Sequence, residues 1–127
     1  MKATQIPQKT RELLAARSHG MCEVCWQETA TDAHHRQPRG MGGTTNKRKH
    51  RLSNLLAVGR NCHNRIETER STALLTEHGW LVSHYDDPAA VPALIYTASY
   101  YGPVRCYLLD NGDLRPAPEE AQEEMAA

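Results

Sequence analysis

The sequence predicts an α+β fold in which a strand–loop–strand–helix unit follows a helix and a cysteine knuckle and precedes several short strands. Three observations carry that expectation. Residues 10–17 (TRELLAAR) and 61–78 are free of Gly and Pro, and the second run places Ile66, Arg70, Ala73, Leu74 and Glu77 at helical spacing. Residues 31–36 and 55–58 are short extended-type runs on either side of a glycine-rich loop. Residues 80–115 carry the β-type runs WLVSHY, ALIY and RCYLL, separated by Asp-Asp-Pro, Gly-Pro and Asp-Asn-Gly-Asp.

Taken in order, Pro7 suits the start of the first helix, where a missing N–H costs nothing. Ser18, His19 and Gly20 close that helix and lead into the knuckle Cys22-Glu23-Val24-Cys25. Residues 38–51 read as a long loop, with Gly40, Gly42 and Gly43 ahead of the basic run NKRKHR. The run LLAV at 55–58 is the expected second strand, and the helix over 61–78 should end on Gly79 as its C′ residue. Over 80–115 two to four small strands are expected to pack on the core, with Asn111-Gly112 as a hairpin turn. From residue 116 the tail carries Glu119, Glu120, Glu123 and Glu124 and is expected to be disordered. The resulting division is 1–79, 80–115 and 116–127.

The chain has 127 residues, no Phe and only two Trp and five Tyr, so its core would gain from a staple, either a metal or a disulfide. Its four cysteines are Cys22, Cys25, Cys62 and Cys106, and a Cys-x-x-Cys pair suits metal or redox use better than a secreted disulfide framework. The first twenty residues lack the uninterrupted apolar run of a signal peptide, and no run approaches the roughly 20 apolar residues of a membrane span. A soluble, cytoplasmic protein without a membrane partner is expected. The formal net charge is zero, yet residues 36–70 hold nine basic residues against two acidic ones. A basic middle points to a polyanion partner there.

Side-chain periodicity separates the candidate site residues. Neighbours on a strand point to opposite faces, so His34 and His35 should not chelate one ion together. One can bind a metal while the other faces a different group. Cys62 and His63 are neighbours on a helix, so Cys62 can face the knuckle while His63 faces a second site. His63 and Glu67, at i and i+4, share a helix face. The start of that helix also favours a bound phosphate. These placements give two candidate metal sites, one rich in thiolate and one in histidine.

In order along the chain stand C-E-V-C, D-A-H-H-R, a glycine-rich loop, S-N-L-L and N-C-H-N-R-I-E. This series resembles the HNH endonucleases, which share a ββα-metal (His-Me finger) core, and H-H-R-Q-P-R-G-M-G-G is similar to HNH proteins of actinobacterial phages and their hosts. The resemblance covers residues 18–70 well and the segments GWLV and DPAAVPAL more weakly. It implies a phosphodiester hydrolase acting on DNA in a bacterial or phage-infected cell. His34 then takes the position of the first metal ligand, His35 that of the base that activates water, and Asn54 that of the residue orienting the base. His63 takes the second ligand position, and Glu67 stands where some members have a further histidine. The implied ion is Mg²⁺ or Mn²⁺, with Zn²⁺ or Ni²⁺ as alternatives.

The residue types suit those roles. A neutral imidazole with a pKa near ~6.5 accepts a proton from water at neutral pH better than a carboxylate does. An asparagine amide donates to one backbone group and accepts from another without adding charge beside a phosphate. Arg36, Arg39, Lys47, Arg48 and Lys49 are the expected contacts to the DNA backbone, and such binding weakens with salt.

The thiolate site departs from the family pattern. Zinc-bearing relatives have Cys-x-x-Cys just before the helical histidine, whereas this chain reads G-R-N-C, with Gly59 at the first position. A structural zinc at Cys22, Cys25 and Cys62 needs a fourth partner, for which His19, His50, Cys106 and water are the alternatives. Three thiols packed as small hydrophobes are the reading without zinc. Read singly, His19, His50, His78 and His84 are incidental, and Trp26 and Trp80 are core anchors. A non-catalytic DNA-binding zinc module is the second functional expectation. A thiol–disulfide protein fits less well, because the segment before the knuckle is helical rather than the strand of a βαβ unit.

Overall fold

The computed structural model describes residues 6–37, 47–69, 73–118 and 120–122, and the chain is mixed α and β with two small sheets. Helix α1 (Gln8–Ser18) starts at Pro7, and its end turns through left-handed His19 (φ 57°) and Gly20 (φ 77°). The knuckle follows, closed by a bridge between Met21 and Thr29 and by the Cys22 amide donating to the Glu28 carbonyl at 2.9 Å.

Strand β1 (Asp32–His35) pairs antiparallel with β2 (Leu55–Val58), in a register that sets His34 opposite Leu56 and His35 opposite Leu55. All four residues of β2 are buried, which explains its unbroken apolar run: it is covered on both faces. On one face Leu55 and Ala57 pack with Leu14 of α1 and Leu52. On the other, Leu56 and Val58 join Cys22, Cys62, Ala93, Ile95, Cys106 and Leu108.

After β2 the expected single helix over 61–78 is instead α2 (Arg60–Thr68) and α3 (Ala73–Glu77), with 70–72 outside the described residues. The physical reason lies at the end of α2. The Thr68 hydroxyl donates to the Arg65 carbonyl at 3.1 Å, and Glu69 leaves helical geometry at φ −111°. Gly79 does cap α3 as expected. Its φ is 75°, its amide donates to the Thr76 carbonyl and the Trp80 amide donates to the Leu75 carbonyl, which is the paired bonding of a Schellman end.

The second sheet is antiparallel with order β3 (Ala93–Ile95), β4 (Val104–Leu108), β5 (Leu114–Pro116). Gly112 (φ 98°) turns the β4–β5 connection, with the Leu109 amide donating to the Asp113 carbonyl. The run at 80–85 forms no strand, because its polar groups are spent on β1: the Val82 amide donates to the Arg36 carbonyl and the Trp80 carbonyl accepts from His34. Of the tail over 116–127, expected to be disordered, residues 119 and 123–127 lie outside the described residues. Pro116 belongs to β5, Ala117 is buried, and the Gln122 side chain accepts from the Arg105 amide and donates to the Arg105 and Ala117 carbonyls. A glutamine amide that satisfies a strand edge on both sides holds this segment to β4.

A buried ion pair ties these parts together. Arg17 Nη2 lies 2.8 Å from Glu23 Oε1, both side chains being about 1% exposed. The guanidinium also donates to the Leu52 and Leu55 carbonyls, and the carboxylate accepts from the Ala57 amide. Further bonded on both sides, the pair links α1, the knuckle and β2. Among the described residues no helix is long and apolar enough to cross a membrane.

Candidate metal centres and the histidine pair

Strand β1 divides its two histidines as alternation requires. His34 is buried and its ring lies 5.6 Å from that of His63 on α2, while His35 is half-buried with its ring 5.3 Å from that of His50. His34, His63 and Glu67 form one three-donor group, whose ligand atoms lie within 4.8 Å of one another. Glu67 Oε2 is 3.6 Å from His63 Nε2 and 4.0 Å from His34 Nδ1. Two donors bonded to one ion at about 2.1 Å can stand no more than about 4.2 Å apart, so these separations are already within range.

Hydrogen bonds behind both imidazoles set which nitrogen faces that group. The Trp80 carbonyl, 2.8 Å from His34 Nε2, can only accept, so Nε2 carries the proton and Nδ1 keeps its lone pair. Asp32 Oδ2, 2.9 Å from His63 Nδ1, accepts in the same way and leaves the lone pair on Nε2. The Arg60 guanidinium, bonded to both oxygens of Asp32, holds its pKa down at about 2 against the effect of burial, with His63 adding to the same direction. Two imidazoles and one carboxylate are donors that suit a divalent ion of the first transition row.

On the opposite face His35 Nε2 lies 3.2 Å from His50 Nδ1. Asn54, 1% exposed, closes the loop behind this pair. Its Oδ1 accepts from the Gln37 amide and its Nδ2 donates to the Lys49 carbonyl, both at 2.9 Å, so one amide joins the strand carrying His35 to the turn carrying His50. His50 had no distinguishing signal in the sequence. It lies in the 3-10 turn Lys47–His50, and only the closure of the loop brings it to His35.

The second group comprises Cys22, Cys25, Glu28 and Cys62, again within 4.8 Å of one another. The three thiols meet as expected, and crowding shows in Cys62, whose pKa is pushed up by burial and by the neighbouring Cys25 and Cys22. The fourth member is Glu28, not His19, His50 or Cys106. Cys106 sits in the apolar core, where burial raises its pKa to about 11.

Among the expected DNA contacts, Arg36 must be reassigned. It is 0% exposed, and its guanidinium donates to the carbonyls of Gly79 (2.7 Å), Ser53 (2.7 Å), Pro88 (3.1 Å) and Val91 (2.6 Å). Burial, and secondarily the charge of Arg17, lowers its pKa to about 9, which still leaves it charged at neutral pH. It is an internal clamp: four of its five N–H groups are donated to carbonyls, and burial keeps the guanidinium from a phosphate. Arg39 lies outside the described residues, as do the side chains of Lys47 and Arg48, while Lys49 is half-buried.

The chain matches no protein-family model, no curated protein and no solved structure.

Proposed function

We propose that the chain is a metal-dependent endonuclease of the HNH type that hydrolyses DNA phosphodiester bonds, with His35 taking the proton from the attacking water. The observation that carries this reading is the division of β1: His34 joins His63 and Glu67 in a three-donor group, and His35, one residue on, meets a second imidazole on the other face. Phosphodiester hydrolysis needs an electrophile for the phosphate oxygens and a base for the water, adjacent but distinct. A divalent ion bound at the first group supplies Lewis-acid stabilisation of phosphate charge.

The protein's own residues have defined tasks in this reading. His34 and His63 present lone pairs fixed by Trp80 and Asp32. In the tautomer in which His35 donates Nε2–H to His50 Nδ1, 3.2 Å away, Nδ1 of His35 is its basic nitrogen. Once Nδ1 holds a proton, the same bond helps to carry the imidazolium charge. Asn54 holds the two ends of the loop against this pair, and Arg39, Lys47, Arg48 and Lys49 attract the DNA backbone. The thiolate group is a separate metal site for zinc, remote in role from the chemistry.

A plasmid-nicking assay across divalent ions tests the reading. Cleavage is expected with Mn²⁺, Ni²⁺ or Zn²⁺ in preference to Mg²⁺, since imidazole donors favour the softer ions. His35→Ala should lose roughly 10²–10⁴-fold in rate, the usual contribution of a positioned base. Wild-type rates in His35→Ala would remove this mechanism. DNA binding without cleavage under every ion would leave the non-catalytic DNA-binding module.

A further inference from the structure

We infer that Glu28 is the fourth ligand of a Cys₃Glu zinc site with Cys22, Cys25 and Cys62, and that Gly59 is the residue that makes room for it. The site stands apart from the nuclease reading and is tested without reference to activity.

The four donors come from two elements. Cys22, Cys25 and Glu28 lie on the knuckle, and Cys62 lies in the first turn of α2. Left-handed Trp26 (φ 59°), with its amide donating to the Cys22 carbonyl at 2.8 Å, curls the knuckle so that positions 22, 25 and 28 face one point. The Gln27 amide donates to Cys25 Sγ at 3.3 Å, a bond that a thiolate accepts more strongly than a thiol. Cys22 and Cys62 are 0% and 3% exposed, so the point they face is closed to bulk water on the core side.

Glu28 turns its carboxylate toward this cluster. Its Oε2 accepts from the Cys62 amide at 3.3 Å. A tetrahedral zinc with sulfurs at about 2.3 Å and an oxygen at about 2.1 Å sets its donors roughly 3.6–3.8 Å apart. The four donors, already within 4.8 Å of one another, need close by only about an ångström to reach that arrangement.

Gly59 supplies the independent observation. Its backbone (φ −78°, ψ 164°) is extended and open to any residue, so conformation does not explain a glycine here. Space does. A Cβ at this position would overlap Cδ, Cγ and Oε1 of Glu28. A side chain at residue 59 would therefore force the Glu28 carboxylate out of its present position beside the three sulfurs. Three thiolates and one carboxylate would fill all four positions of a tetrahedral zinc and leave none open, which is what distinguishes a structural from a catalytic site.

The full chain, reduced and loaded with one equivalent of zinc, is expected to show three sulfurs and one oxygen around the metal by X-ray absorption. Glu28→Gln keeps an acceptor for the Cys62 amide but loses the anionic ligand. It should bind zinc more weakly than wild type by at least the ~10–100-fold that losing a mere supporting partner costs. Gly59→Ala should weaken binding similarly by displacing Glu28. The double variant Glu28→Ala, Gly59→Cys should regain tight binding, and its Co²⁺-substituted form should show stronger thiolate charge-transfer absorption than wild type, a band that the His34 group does not produce. Undiminished zinc affinity in both Glu28→Gln and Gly59→Ala would overturn the inference and reduce Glu28 to a cap on α2. A shell of four sulfurs in the wild type, or no zinc retained by the reduced protein, would overturn it as well.

Discussion

At the scale of single residues, Arg36 shows how far charge can mislead about location. It follows β1 directly and sits at the start of the most basic part of the chain, where an arginine normally meets solvent or phosphate. Here its four donated bonds gather carbonyls from residues 53, 79, 88 and 91, which belong to three separate stretches of chain. Such a fork cannot be copied by lysine, whose ammonium is a point donor. Arg36→Ala would strip all four carbonyls of this partner in a buried setting, where each unsatisfied group costs about 1–3 kcal/mol. The expected loss is at least about 3 kcal/mol in urea denaturation. A loss under 1 kcal/mol, paired with a lower salt dependence of DNA binding, would return Arg36 to the surface. His50 teaches the converse. Nothing in its own neighbourhood of sequence sets it apart, because its meeting with His35 depends on Asn54 closing a loop fifteen residues wide.

At the scale of elements, the end of α3 positions the histidine group. Gly79 holds φ 75°, and a Cβ there would run into the Pro92 carbonyl, a backbone atom with little freedom to yield. Gly79→Ala should therefore cost about 2 kcal/mol or more, combining left-handed strain with that overlap, and a thermal melt will register it. The effect should reach the site, since the next carbonyl, that of Trp80, fixes the tautomer of His34. An unchanged melting temperature would show that this turn repacks freely. Much of this level was legible in advance. The Gly79 cap, the β1–β2 pair and the opposed histidines follow from local periodicity and turn chemistry, which the neighbouring residues decide. The break between α2 and α3 was hidden because helix formers continue past Thr68, and only the Thr68 hydroxyl bond marks the end. WLVSHY has strand-like composition, yet its backbone groups are claimed by His34 of β1 and by Arg36 just after it, a tertiary choice that no window of sequence contains. Glu28 was missed for a related reason: a search for cysteine and histidine partners passes over a glutamate, and its signal was the glycine at 59, thirty-one residues away.

At the scale of the whole molecule, the segment over 80–115, expected to pack on the core over 1–79, contributes to one buried cluster with it. Ala93, Ile95, Cys106 and Leu108 supply half of the buried cluster that also holds Leu56, Val58, Cys22 and Cys62. Asp110 beyond β4 accepts from Arg51 and from the Ser53 amide, tying the second sheet to the segment that leads into β2. The Pro88 and Val91 carbonyls complete the bonding of Arg36, and the Trp80 carbonyl completes that of His34. A fragment ending at Gly79 would expose one side of β2 and forfeit about 1.5–3 kcal/mol for each of Ile95 and Leu108 alone. Against a net stability of roughly 5–15 kcal/mol for a domain, the lost pairings add enough to leave no folded state. The 1–79 fragment is thus expected to unfold without a cooperative urea transition, even with zinc present, and to lack any histidine-held divalent ion. A sigmoidal transition in that fragment would show instead that α1, the knuckle, β1, β2 and α2 suffice as a unit, with the second sheet a removable cover.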